Sequence, residues 1–178
     1  MDNEKILEKE IDLIQNCITR MGQNSFSIKG WLIGLIIAII ALLPENVDTK
    51  IICLVIFGMT IIFWALDAFY LKTEKLYRWK YDWVIVNRKN STDFCYDLNP
   101  YKKEMWLLDK DGRPKNEPLV LRIMFTKTLW PFYLPIILIS IGVLYIDQLI
   151  QIWNCIANNK LIFKHEYAPQ LILRVVGR

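Results

Sequence analysis

Histidine is nearly missing from this chain: His165 is the single one in 178 residues, so no HxxxH metal pair can form and no imidazole stands ready to serve a nucleophile. Four cysteines, Cys17, Cys53, Cys95 and Cys155, show no CxxC spacing, which points to free thiols and away from a zinc knuckle or a disulfide framework. Seven glycines and seven prolines are too few for collagen-like or low-complexity sequence. The opening MDNEKILEKE lacks a basic n-region, so no cleavable signal peptide is expected. Neither GxGxxG nor GxxxxGKS/T occurs, and no acidic metal motif or nucleophile–base pair stands at useful spacing. The chain is therefore expected to be no enzyme, with no catalytic residue, no cofactor and no metal. What it holds instead is apolar side chains: hydrophobic types make up 54% against 22% charged, aromatics reach 13%, and the mean hydropathy is +0.25. That balance, clumped into long runs, implies a membrane protein. A net charge of +4 suits a chain held against an anionic leaflet and does not argue for nucleic acid.

The expected fold is an all-α membrane protein. Residues 1–25 read as a cytoplasmic amphipathic helix, 26–71 as a transmembrane hairpin (26–43 and 51–71), and 72–127 as a cytoplasmic stalk helix followed by a loop-rich segment. Residues 128–147 read as a third transmembrane helix and 148–178 as a tail. The first apolar run, Phe26 to Leu43, crosses Lys29 and stops at Pro44. About 18 residues at ~1.5 Å each come close to the ~30 Å hydrocarbon thickness. The second runs from Ile51 to Leu71, interrupted only by Asp67, and the short polar PENVDTK between them requires an antiparallel pair. The third, Leu129 to Ile146, carries Pro131 and Pro135 near its start and reads as a spanning helix, or alternatively as a re-entrant segment. Lys72 to Lys127 holds thirteen basic residues against eight acids, whereas Pro44 to Lys50 holds one basic residue. This places the N-terminus and the middle segment in the cytoplasm. Lys160, Lys164, Arg174 and Arg178 in the tail conflict with a third full crossing.

Leu7, Ile11, Ile14, Ile18 and Met21 recur at intervals of four and three, an a/d seam that would pair between copies, pack against the stalk, or lie on the bilayer. Leu71 to Val86 is expected to continue the second helix into the cytoplasm as the stalk. Beyond it, Asn-Pro, Asp-Gly and further prolines mark loops, with Leu119 to Phe125 as a short strand. That region is small enough to need outside support for a core. Gly30, Gly34 and Ala38 give one helix face a small-xxx-small stripe, which would pack either the hairpin or a neighbouring copy. Lys29 lies 14 residues before Leu43 and Asp67 lies 16 after Ile51, so at ~1.5 Å per residue they sit level, about 21 and 24 Å from the turn. They are a candidate charge pair or gate. Lys72, Lys75, Arg78 and Lys80 form a basic cluster, read as a positive-inside anchor or as a patch for an anionic lipid or ligand phosphate.

QNSFSIKGW before the first apolar run, FWALDAFYLKTEKLYRWKYDWV across the end of the second, DFCYDLNPY and FTKTLWPFYLP together resemble a family of small uncharacterised bacterial inner-membrane proteins. In layout alone the chain is more distantly similar to SLATT-type membrane effectors of bacterial conflict systems. The resemblance marks Asn24, Ser25, Phe26, Lys29, Gly30, Trp31, Trp64, Asp67, Tyr70 and Tyr77 for a shared structural role. It implies an oligomeric inner-membrane protein, acting as a membrane-perturbing or pore-forming effector in a defence or nucleotide-signalling system. The alternative expectation is a non-conducting scaffold or regulatory subunit docking a soluble partner. The partners implied are membrane lipids, further copies of the chain, and a soluble cytoplasmic protein or nucleotide signal.

Overall fold

The computed structural model describes residues 3–42 and 47–146, together with 148, 150, 153, 154 and 156. It is all-helical, with no strand among the described residues. Two long helices, α1 (Asn3–Leu42) and α2 (Thr49–Asn87), lie against each other as an antiparallel pair. At ~1.5 Å per residue each is about 60 Å long, roughly twice the hydrocarbon thickness. Both are long and apolar enough to cross a membrane. Asp48 caps α2, its carboxylate accepting from the Lys50 amide at 2.9 Å.

The division expected at residue 25 carries no break. The sequence turns there from charged to aliphatic, but a change of polarity does not stop a helix, and α1 contains no proline. Its N-terminal half buries Ile6, Glu10, Ile14 and Cys17 on one line, one turn-step round from the expected seam. Ile14 is buried, and Leu7, Ile18 and Met21 pack with it against Tyr77, Tyr81, Trp83, Val84 and Met105 of the same chain. Of the uses expected for the seam, packing against the α2 stalk and the loop beyond it is the one observed, through Leu7, Ile14, Ile18 and Met21 but not Ile11.

The loop-rich segment gains its core from the stalk. Met105 and Trp106, at the end of a single 3-10 turn (Lys103–Met105), are buried. Trp106 Nε1 donates to the Pro100 carbonyl at 3.0 Å, and its ring meets Trp79 edge-on with centroids 5.3 Å apart. The strand expected at Leu119 to Phe125 is instead a short helix, α3 (Val120–Met124). Adjacent Ile123 and Met124 are both buried, while Leu121, Arg122 and Phe125 around them are exposed, a pattern that one helical turn gives and a strand with alternating faces does not. Helix α4 (Trp130–Leu144) follows. Pro131 sits in its first turn, where no intrahelical N–H bond is lost, while Pro135 lies inside and leaves one carbonyl without its donor. Its 15 residues span about 22 Å, short of the hydrocarbon thickness. Leu32, Trp64, Ala68, Ile123, Met124, Leu129 and Tyr133 make the core where α1, α2, α3 and α4 meet. The tail, with His165 and Cys155, lies outside the described residues apart from five positions.

Candidate functional site

Asp67 is fully buried in the middle of α2. Three elements aim donors at it. Ser25 Oγ on α1 donates to Oδ1 at 2.5 Å, and Tyr133 OH on α4 donates to Oδ2 at 2.8 Å. Lys29 Nζ, one turn along α1 from Ser25, stands 2.5 Å from Oδ2. The same ammonium also donates to Ser25 Oγ at 3.1 Å and to the Ser25 carbonyl at 3.3 Å. The ion pair is thus locked by i, i+4 geometry on one helix and by a phenol from a third. Trp64, one turn before Asp67, secures that phenol. Its ring stacks on Tyr133 with centroids 5.7 Å apart, and its Nε1 donates to the Met124 carbonyl at 3.0 Å.

Each carboxylate oxygen of Asp67 is engaged, so the group is neither a free base nor an open metal ligand. The ammonium and the two hydroxyls offset part of the cost of burying this carboxylate, while the Lys29 side chain keeps 21% of its surface exposed. No cluster of three or more metal-ligating side chains occurs among the described residues. Of the site residues marked in the sequence, Lys29 and Asp67 come together. Tyr133 escaped notice because nothing in FTKTLWPFYLP says that α4 folds back onto α2.

A second buried ion pair closes the far end of the α1–α2 pair. Arg88, at the C-terminus of α2, forks onto Glu10 of α1 through Nε and Nη2, and both residues are buried. The remaining guanidinium capacity goes to the carbonyls of Ser91 (3.0 Å) and Asp93 (2.8 Å), while the Tyr96 amide donates to Glu10 at 2.6 Å. Phe94 and Tyr96 adopt φ of 56° and 60°, a left-handed geometry that costs about 1–3 kcal/mol per residue. That strain brings the Tyr96 amide onto Glu10. The signal for this clasp was present in the sequence, as Glu10 interrupts the apolar line Ile6, Ile14, Cys17.

The expected basic cluster does not exist as one patch. Lys72 pairs with Glu117 at 2.5 Å, and Arg78 with Glu74 at 2.7 Å. Lys75 lies over the Trp79 ring at 5.5 Å. Lys80 is buried, donating to the Asn99 carbonyl at 3.0 Å and standing 3.5 Å from Asp97. Lys72, Lys75 and Arg78 follow at i, i+3 spacing along one side of α2 and Lys80 turns away from them, and each of the four meets a different group. Burial pushes the Lys80 ammonium below its ordinary value, with Asp97 opposing the shift. Asp97 itself drops from 3.8 to about 2, held chiefly by the Lys102 ammonium and by the Asn99 amide. Burial, with Cys17 beside it, raises the Tyr77 phenol.

Gly30 and Gly34 face outward; a Cβ built on either meets nothing within 4 Å. The stripe with Ala38 therefore does not pack the hairpin, which corrects one of its two expected uses. Comparisons with family models, with curated proteins and with solved structures gave no match.

Proposed function

We propose that this chain is a multi-pass protein of the bacterial inner membrane, with its N-terminus in the cytoplasm, acting as a non-conducting scaffold or regulatory subunit that docks a soluble partner on its cytoplasmic stalk. The observation that carries the reading is the closed network at Asp67. Among the described residues, the two charges inside the apolar windows of α1 and α2 neutralise each other within one chain. The membrane itself is supported by exposure: the most apolar windows of α1 and α2 are only 17% and 28% buried, the reverse of a soluble core helix. Basic residues crowded into the segment after α2 support the orientation. The role is non-catalytic in this reading.

The outward glycines favour a second reading, in which several copies associate through Gly30 and Gly34 and form a membrane-perturbing or pore-forming effector of a defence or nucleotide-signalling system. The resemblance to conflict-system effectors supports the same biology. One experiment separates the two: dye release from liposomes carrying the purified chain, alongside the mass of the assembly in nanodiscs. The scaffold reading expects no release above protein-free vesicles and a stoichiometric soluble companion on affinity capture from its host. Release that is abolished by Gly34→Leu would replace it with the effector.

A further inference from the structure

A cleft of about 710 Å³ opens between α2 and the segment leading into α3. Four cations line it: Lys75 from the stalk, Arg113 and Lys115 from the loop, and Arg122 from α3. Against them stand Asp109 and Glu117, and Glu117 is already taken by Lys72. Arg113 pairs with Asp111 outside the cleft. Lys75, Lys115 and Arg122 have no ion-pair partner among the described residues. Two of these converge on one ring, Lys75 Nζ lying 5.5 Å and Lys115 Nζ 5.2 Å from the centroid of Trp79. The indole is fixed in turn by its edge-on contact with Trp106.

Like charges brought from two separate elements onto one side chain repel, and the face of one indole offsets this only in part. An anion between them removes the repulsion. The space fits a phosphate carrying a further group, and Arg122 adds a planar fork suited to two phosphate oxygens. We propose that this cleft binds a phosphorylated ligand, its phosphate held among Lys75, Lys115 and Arg122 beside Trp79.

Two sources could supply that phosphate. Ile123, next to Arg122, lines the cleft and also packs into the core with Trp64 and Tyr133, so the cleft borders the core that surrounds Asp67. Leu121 and Phe125, flanking Arg122, are 68% and 67% exposed. If the apolar halves of α1 and α2 lie in a bilayer, these side chains dip into its inner edge and Arg122 meets the headgroup phosphates. The lipid source rests on that reading; a soluble phosphate compound does not.

The test uses the full chain in nanodiscs and two probes. Native mass spectrometry reads retention of phosphatidylglycerol over phosphatidylcholine, and calorimetry on phosphatidylcholine discs reads binding of inorganic pyrophosphate. At roughly fivefold per cation, the Lys115→Gln/Arg122→Gln pair should weaken one probe about twenty-five-fold. Lys89→Gln/Lys103→Gln, exposed and outside the cleft, should leave it within about threefold. Loss confined to phosphatidylglycerol identifies a lipid headgroup, and loss confined to pyrophosphate identifies a soluble ligand. The proposal is overturned if neither probe binds, or if both pairs weaken binding alike. Arg122→Gln alone, at an exposed position, keeps the outcome decisive through its own fivefold loss should the double variant melt early.

Discussion

Among single residues, Asp67 is the one whose removal reaches furthest. Asp67→Ala leaves the Lys29 ammonium in an apolar layer without its counter-ion, and the expected destabilisation is about 3–5 kcal/mol. Lys29→Met/Asp67→Met should cost clearly less than the sum of its single changes, as read from melting in detergent. Tyr133→Phe removes one bond to a charged acceptor, worth about 1.5–3 kcal/mol, without unpairing the charges. At the other end of the pair, Asp97 carries a pH signature. Its folded pKa is depressed from 3.8 to about 2, so the stability it contributes is fully present above pH 4 and is lost as pH falls through 2. Asp97→Asn should flatten that limb of a stability–pH curve. The level placement of Lys29 and Asp67 was legible because a fixed rise per residue along two antiparallel helices sets relative depth. Tyr133 was not, since a hydroxyl donor looks ordinary until the third helix is positioned, and Ser25 was marked by the resemblance alone, with nothing to show its bond to Asp67.

Helices rather than residues decide where the sequence reading parted from the structure. Polarity changes at residue 25, yet α1 runs through, because that stretch contains no proline or left-handed stop, whereas the continuation of α2 past residue 71 into the stalk is as the sequence led one to expect. A proline placed at Gln23, in the interior of α1, should cost about 3 kcal/mol and open the chain to protease near that point. The opposite change is available one residue away. A Cβ at Gly22 would make ordinary contact with Glu74 at 3.7 Å, so Gly22→Ala should stabilise by about 0.5–1 kcal/mol in the same melt. The turn at α3 was misread as a strand because LVLRIMF is rich in β-branched and aliphatic residues. Packing on Trp64 overrides that preference.

Taken whole, the molecule is a long rod with two characters, aliphatic and outward-facing near the α1–α2 turn, and tied by ion pairs toward the other end. A reporter fused at Asp48 should be silent in the cytoplasm while one at the N-terminus is active there. The reverse pattern would turn the rod over and move the basic cleft outside the cell. The Glu10–Arg88 clasp also bears on how the protein is made. Glu10 leaves the ribosome 78 residues before its partner, a delay of roughly 4–16 s at typical synthesis rates of ~5–20 residues per second. Until the stalk half of α2 follows, the first half of α1 lacks the side chains it packs against, and its apolar line is open to chaperones. Closure of the rod is therefore a late event in biogenesis, timed by translation.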